Sequence, residues 1–210
     1  MIIGVDEVNF SPSIAGDCVV CALTPTNKRV PGVRDSKLLS PAQRLEVWPE
    51  LQKHNIYSVT LATVQDISHI GVHLARNNAM IAAVRQLLDK LYAMQISTDK
   101  ASVLLDGYFS AAALNLMRRK IGIPVTCKTK ADKGIYEVAA ASIVAKIYVD
   151  ALFGGFGAFY PGYNLETNHG SPDPVMYKQL RLRGPTPYHR VNYGQAWWER
   201  IMGEKDGEKD

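Results

Sequence analysis

Residues 2–8, Ile-Ile-Gly-Val-Asp-Glu-Val, form a short, apolar and β-branched run that ends close to two adjacent acids, Asp6 and Glu7. Such a run predicts a buried strand. Acidic residues at strand ends can converge on one edge of an α/β sheet, which is where open sheets place their sites. The stretch therefore predicts the first strand of a sheet and a candidate site beside the end of that strand.

The rest of the chain alternates between strand and helix patterns. Ser40 and Pro41 predict a helix start, as N-cap and first helical residue, and the Gly-Gly-Phe-Gly at residues 154–157 is expected to end another helix. The predicted strands cover residues 2–8, 17–23, 57–63, 101–105 and 124–128; the predicted helices cover residues 41–53, 67–93, 111–120, 137–152 and 174–183, with a short last helix around Trp197, Trp198 and Ile201. This order predicts a mixed α/β layer fold.

Length and composition indicate one globular domain. The chain has 210 residues, of which 47% are hydrophobic and 21% charged, which excludes a disordered chain. We expect a single domain over residues 1–202, helical at its C-terminal end from about residue 155, and a frayed tail at residues 203–210. The net charge of +4 is compatible with a polyanionic partner. With no signal peptide and no run of about 20 apolar residues, we expect a soluble, cytoplasmic monomer that binds no membrane.

Two pairs of residues have the spacing of metal ligands. Cys18 and Cys21 form a lone CxxC, but residues three apart on a strand point to opposite faces, and no second CxxC completes a zinc site. We interpret them as core cysteines. His69 and His73 lie four apart on a predicted helix with no third ligand apparent nearby, so we interpret them as solvated or capping residues.

Four acidic residues carry the main chemical signal. Asp6 and Glu7 lie near the end of the first strand, Asp106 ends a later strand, and Asp132 follows a short basic run just before a helix. Hard cations such as Mg²⁺ prefer oxygen ligands, and two such ions about 3.5–4 Å apart can catalyse phosphodiester hydrolysis. Taken singly, an acid at the end of a strand is more often a turn former or a helix cap than a metal ligand.

The order of seven short motifs favours the catalytic interpretation. They are Gly4-Val5-Asp6-Glu7, Asp35-Ser36-Lys37-Leu38-Leu39-Ser40, Leu105-Asp106-Gly107, Lys130-Ala131-Asp132, Ala139-Ala140-Ala141-Ser142-Ile143-Val144-Ala145-Lys146, Tyr160-Pro161-Gly162-Tyr163 and Gly184-Pro185-Thr186-Pro187-Tyr188-His189-Arg190. The series resembles the ribonuclease HII family, the prokaryotic type 2 ribonucleases H, and covers the chain from about residue 2 to residue 193.

The resemblance implies a ribonuclease H-like fold, with a central mixed sheet flanked by helices and helical C-terminal elements. It implies that Asp6, Glu7, Asp106 and Asp132 hold two divalent ions, Mg²⁺ or Mn²⁺. It also implies endonucleolytic cleavage of the RNA strand of RNA–DNA hybrids, which leaves a 3′-hydroxyl and a 5′-phosphate.

The resemblance further implies contacts with the nucleic acid. Lys37 would contact a phosphate as a point charge, Ser142 and Lys146 would lie on a helix facing the substrate, and Arg190 would contact the backbone or pair with an acidic surface residue. Asp150 would orient a neighbouring basic group rather than bind metal. Lys37 is also compatible with a solvated loop lysine. Ser142 is also compatible with a small residue that packs its helix against the sheet.

Two departures from the family pattern concern substrate recognition. The family's Gly-Arg-Gly, which lets the backbone approach the ribose 2′-hydroxyl, is replaced by Asn9, Phe10 and Ser11. The family's tyrosine that stacks on the sugar at an RNA–DNA junction is absent near residues 168–172, and Tyr163, several residues earlier, is the remaining but disfavoured candidate for that role. The cutting residues are present, whereas the residues that would recognise a single ribonucleotide are altered.

Three hypotheses follow for the activity. The first is a two-metal ribonuclease H acting on hybrids, and the second is a nuclease of the same fold with relaxed 2′-hydroxyl or junction checking. The third is a nucleic-acid-binding protein without turnover, which the presence of all four acids disfavours.

Overall fold

The first strand, β1 (Ile2–Val8), lies at the centre of a five-stranded sheet in this computed structural model, which describes residues 1–33, 36–192, 198–199 and 203. The other strands are β2 (Cys18–Pro25), β3 (Asn55–Ala62), β4 (Ser102–Asp106) and β5 (Val125–Lys128). The strand order is β3-β2-β1-β4-β5. The expected central mixed sheet is confirmed, and all five predicted strands are present.

Strand directions explain where the acids gather. β1 pairs antiparallel with β2 but parallel with β4, and β4 pairs parallel with β5. Val5 is the register partner of Leu105, so Asp6 and Asp106 follow at the same level on neighbouring strands. The carboxyl ends of three parallel strands therefore meet at one edge of the sheet.

Helices cover both faces of the sheet. They are α1 (Pro41–His54), α2 (Val64–Ile70), α3 (Val72–Ala93), α4 (Ala111–Ile121), α5 (Tyr136–Phe159), α6 (Leu165–Asn168) and α7 (Pro174–Arg183), with 3₁₀ turns at Ser36–Leu38 and Ala131–Lys133. One hydrophobic cluster contains residues of α5 and the other contains residues of α3. Cys21 belongs to the first cluster and Cys18 to the second, which confirms that both are core residues on opposite faces.

A glycine brings α5 against β1. A Cβ atom on Gly4 would lie 2.2 Å from the backbone carbonyl carbon of Glu137. Such a distance is far inside van der Waals contact, so only glycine permits this approach. The close packing brings the first turns of α5, including Ser142, next to the acidic end of β1.

Two helix predictions were wrong in extent. The single helix expected over residues 67–93 is divided at Gly71, whose φ of 80° breaks the helical path, and α2 starts earlier behind a Thr63 capping box. The helix expected to stop at residue 152 instead continues through Gly154 and Gly155 to Phe159. Phe153 and Phe156 are buried in the core, and their packing offsets the helix-weakening effect of the glycines, about 1 kcal/mol each.

Because α5 is longer than predicted, the described part of the chain does contain one apolar helix long enough to span a membrane, contrary to the expectation from the sequence. It has 24 residues, and its best window reaches a mean hydropathy of 1.5, so by length and composition it could cross a membrane. In the fold, 56% of that window is buried, as in a core helix. The predicted last helix lies mostly outside the described residues, as does the predicted tail except for Gly203.

Candidate active site

The four candidate acids lie at or beside the ends of the three parallel strands. Asp6 and Glu7 belong to β1, Asp106 ends β4, and Asp132 lies in the 3₁₀ turn after β5. The backbone N–H of Ala131 donates to Oδ1 of Asp106 over 2.7 Å, which ties the turn to the end of β4. The sheet thus brings Asp6, Glu7 and Asp106 within electrostatic range of one another, and the residue next to Asp132 is hydrogen-bonded to Asp106.

The pKa of the Asp6 carboxyl group is strongly perturbed. Asp6 is buried, and its carboxylate accepts hydrogen bonds from its neighbour's backbone N–H, over 2.8 Å, and from Ser142. Burial, followed by the charges of Glu7 and Asp106, raises its pKa well above the ordinary value. The Oγ atoms of Ser142 and Ser36 lie 2.8 Å apart, so the 3₁₀ turn of residues 36–38 supports the same group.

Glu7 is paired with an arginine of helix α3. Nη1 of Arg76 lies 3.3 Å from Oε1 of Glu7. Desolvation raises the pKa of Glu7 to about 6; the charge of Asp106 acts in the same direction, and the Arg76 guanidinium opposes both. The other oxygen, Oε2, is buried and accepts no hydrogen bond from any described residue. One carboxylate oxygen of Glu7 is therefore paired with Arg76, and the other has no hydrogen-bond partner among the described residues.

Asp132 is buried and lies near a lysine. Its Oδ2 is 3.9 Å from Nζ of Lys37, whose side chain is 70% exposed. Within the described ranges, no group of three or more His, Cys, Asp or Glu side chains has the geometry to hold a metal ion. In this arrangement Glu7 and Asp132 each engage a basic side chain, so the assignment of the four acids as metal ligands stays a prediction.

The loop that replaces the family's glycine motif is held from the C-terminal region. Asn9 adopts a left-handed backbone, with φ of 65°, and its side-chain amide donates to the carbonyls of Ala15 and Asp17. Arg190 donates to the carbonyl oxygens of four residues of this loop, Asn9, Phe10, Ser13 and Gly16. The guanidinium thereby supplies donors to loop carbonyls that have no strand partner.

Arg190 is fully buried. A direct contact between Arg190 and nucleic acid was therefore the wrong prediction. A buried guanidinium needs acceptors for its donors, and the carbonyls of residues 9–16 provide them.

Tyr163 is also unavailable to nucleic acid. It is 5% exposed, and its hydroxyl donates to the carbonyl of Gly184 over 2.6 Å. The prediction of Tyr163 as a nucleic-acid-binding residue and candidate for the junction tyrosine is therefore wrong. Ser142, 3% exposed, faces Asp6 and Ser36 rather than solvent, which contradicts the expected direct contact.

The other expected contacts stay predictions. Ser11 and Lys37 are exposed, and Lys146 is half-buried. Phe10 is half-buried, with its ring against His73 and Arg76. Asp150 accepts from Arg44 over 2.8 Å, which confirms its predicted pairing with a basic group.

Arg76 and Phe109 were missed by the sequence interpretation. Val72, Arg76 and Met80 recur every four residues, which places Arg76 on the buried face of α3. A charged residue within an apolar stripe indicates a buried partner of opposite charge, and this pattern could have identified Arg76 from the sequence. Phe109 gave no signal, because only the fold brings the loop after β4 beside α3.

A mixed sheet flanked by helices, with acids gathered at the ends of its parallel strands, defines a protein with a ribonuclease H-like fold. A crystal structure of ribonuclease H2 from Pyrococcus horikoshii OT3 shares this fold, with a TM-score of 0.76 at 22% identity, covering 97% of this chain and 99% of that one. A structure of Bst-RNase HIII in complex with Mn²⁺ covers 95% of this chain and 70% of that one, at 18% identity and a TM-score of 0.65.

The family is shown by sequence. The family model described as Ribonuclease HII matches residues 3–196. A protein named Ribonuclease HII from Jannaschia sp. (strain CCS1) is 32% identical over 194 residues, which cover 92% of this chain and 89% of that protein. The chain belongs to the ribonuclease HII family, and the predicted fold and ribonuclease H activity are confirmed.

We expect Asp6→Asn to stabilise the protein at pH 7.5 without divalent ions, because it removes a buried charge beside two others. The raised pKa means that the folded state retains its proton to higher pH than the unfolded state, so wild-type stability is lost as pH rises from the ordinary carboxyl range through the folded pKa. A gain of about 1 kcal/mol would raise Tm by roughly 2–4 °C. The gain should shrink as the pH falls toward about 4.

Thermal unfolding scans across this pH range provide the measurement. Asp99→Asn, at an exposed acid far from the cluster, is the control and should show no such gain. An Asp6→Asn protein that melts below the wild type at pH 7.5 would show that the buried charge is already compensated in the metal-free protein.

Proposed function

We propose that Asp6, Glu7, Asp106 and Asp132 together hold two divalent ions, Mg²⁺ or Mn²⁺, for hydrolysis of the RNA strand of RNA–DNA hybrids. The observation that carries this proposal is the placement of Asp6 and Glu7 on β1 beside Asp106 on the parallel strand β4, with Asp6 buried at that sheet edge. The raised pKa of Asp6 and Glu7, caused by burial and by neighbouring carboxylates, agrees with it. Carboxylates this close repel one another unless cations compensate them. A relative of the same fold was solved in complex with Mn²⁺, which supports a divalent metal.

The donor set suits hard cations. All four side chains are carboxylates, the ligands that Mg²⁺ and Mn²⁺ prefer. The Oε2 atom of Glu7 is buried without a hydrogen bond from the described residues, which leaves it available to an ion. When bound, divalent ions would activate the attacking water and neutralise charge on the phosphate.

The chain's own residues would hold these ligands in place. Ser142 and the backbone N–H of Glu7 fix the carboxylate of Asp6. The backbone N–H of Ala131 fixes one oxygen of Asp106 and leaves the other for a cation. Preorganised ligands of this kind lose little entropy when an ion binds.

Substrate contacts would come from basic residues near this edge, one exposed and one half-buried. Lys37 is largely exposed and lies beside Asp132, so its ammonium would meet a backbone phosphate close to the site. We propose the same role for Lys146 and a polar contact for Ser11. These contacts position the duplex, while the 2′-hydroxyl distinguishes RNA from DNA.

A second candidate function, a nuclease with weakened ribose and junction checking, is favoured by the loop after β1. The carbonyls of Asn9 and Phe10 are taken by Arg190, and the ring of Phe10 is packed against Arg76. Tyr163 is buried, and Ser171 stands where the family's junction tyrosine is expected. These features leave cutting possible but reduce recognition of one ribonucleotide.

We expect a labelled RNA–DNA hybrid to be cut only when Mg²⁺ or Mn²⁺ is present, and we expect Asp6→Asn to abolish cutting. Affinity for the hybrid, measured by fluorescence anisotropy, should change little because basic side chains supply the phosphate contacts. Asp99→Asn is again the control and should cut normally. Ordinary turnover by correctly folded Asp6→Asn protein, free of contaminating nuclease, would overturn the proposed role of the cluster.

We expect cleavage of a long hybrid to be faster than cleavage of a DNA duplex that holds one ribonucleotide. The loss of one aromatic stack costs about 1–3 kcal/mol, or roughly tenfold to a hundredfold in rate. A long hybrid offers many equivalent registers, so weaker checking at one position matters less there. Rates on the two substrates, matched in length and flanking sequence, test this. Equal or faster cutting at the lone ribonucleotide would show that the junction is still recognised.

A further inference from the structure

Arg76 is a buried arginine held between two aromatic rings. It is 7% exposed, and its guanidinium carbon lies 4.2 Å from the ring centroid of Phe10 and 4.3 Å from that of Phe109. Guanidinium groups stack favourably on aromatic faces, more so when water is excluded. The two rings form a clamp that restricts where this charge can lie.

Both rings of the clamp come from loops that leave the acid-bearing strands. Phe10 follows β1, three residues after Glu7, and Phe109 follows β4, three residues after Asp106. The position of Phe10 is fixed further by an edge contact with His73 and by Arg190, which binds its carbonyl. The clamp is therefore built into the same sheet edge as the acids.

The clamped guanidinium faces one acid. Nη1 of Arg76 contacts Oε1 of Glu7 at 3.3 Å, while Oε2 of Glu7 accepts no hydrogen bond from the described residues. The contact thus occupies one oxygen and leaves the other open. A positive charge fixed at this distance also repels any cation that approaches the same carboxylate.

We propose that Arg76, clamped between Phe10 and Phe109, is a positioning residue that orients Glu7 and weakens the hold of the acidic cluster on a divalent ion. The inference rests on the proposed function, because it assumes that Glu7 is a metal ligand. Arg76 would have two distinct effects. Its charge lowers the affinity for the ion, and its clamped position fixes the orientation of Glu7.

The test is calorimetric titration of Mn²⁺ into each protein without nucleic acid. Arg76→Gln keeps a polar side chain but removes the charge, and we expect it to bind Mn²⁺ at least about tenfold more tightly, equivalent to roughly 1.4 kcal/mol. Arg76→Lys keeps the charge but cannot lie flat in the clamp. We expect it to bind Mn²⁺ as the wild type does while its kcat on a hybrid at saturating Mn²⁺ falls and its KM stays unchanged.

Val84→Ala is the control for lost stability. Val84 is fully buried two turns further along α3, so the substitution lowers Tm without touching a charge. It should leave Mn²⁺ affinity unchanged. If Arg76→Gln fails to fold, Phe10→Leu replaces it, because opening the clamp lets the charge move away from Glu7 and should also tighten Mn²⁺ binding.

The outcomes separate this inference from the proposed function. Unchanged or weaker Mn²⁺ binding by Arg76→Gln, with a wild type that binds normally, would overturn the role of Arg76 alone. Absence of Mn²⁺ binding at millimolar concentration by both the wild type and Arg76→Gln would instead overturn the metal site. Tighter binding by Arg76→Gln in a protein that cuts no hybrid would sustain the inference and reject the proposed substrate.

Discussion

Repulsion between carboxylates at one sheet edge is the constraint on which the rest of the structure depends. Parallel pairing of β1 with β4 puts Asp6 and Asp106 at the same level, and Glu7 follows directly. Burial makes this arrangement costly, since a desolvated charge is stable only with a partner. The surrounding elements supply hydrogen bonds and basic groups that compensate part of this charge, and we propose a divalent cation as the remaining partner.

Three buried arginines compensate buried carbonyl and carboxylate oxygens in this fold. Arg190 satisfies loop carbonyls, Arg44 pairs with Asp150, and Arg76 pairs with Glu7. Each guanidinium has fixed donors that match several acceptors at once. Arg190 and Arg76 both contact the loop after β1, Arg190 through the carbonyls of Asn9 and Phe10 and Arg76 through the ring of Phe10, so this loop connects the C-terminal region to the surroundings of Glu7.

The sheet and the placement of the acids near its strand ends were predictable because those signals are local; the choice of these four acids as ligands came from the family resemblance and stays a prediction. The apolar, β-branched run around Val5 predicts a strand, and the position of Asp6 at its end predicts its edge. The burial of Arg190 and Tyr163 was not predictable, because it depends on contacts between residues about 170 and 20 positions apart. The length of α5 was underestimated because the low helix propensity of Gly154 and Gly155 was taken to end the helix. The burial of Phe153 and Phe156 outweighs that propensity.

Anomalous diffraction from crystals of the protein grown with Mn²⁺ would locate ions bound at this sheet edge. We expect two peaks about 4 Å apart. Oxygen atoms of Asp6, Glu7, Asp106 and Asp132 should lie within roughly 2.0–2.3 Å of the peaks. The absence of peaks at this edge, or peaks bound by other side chains, would contradict the proposed metal site.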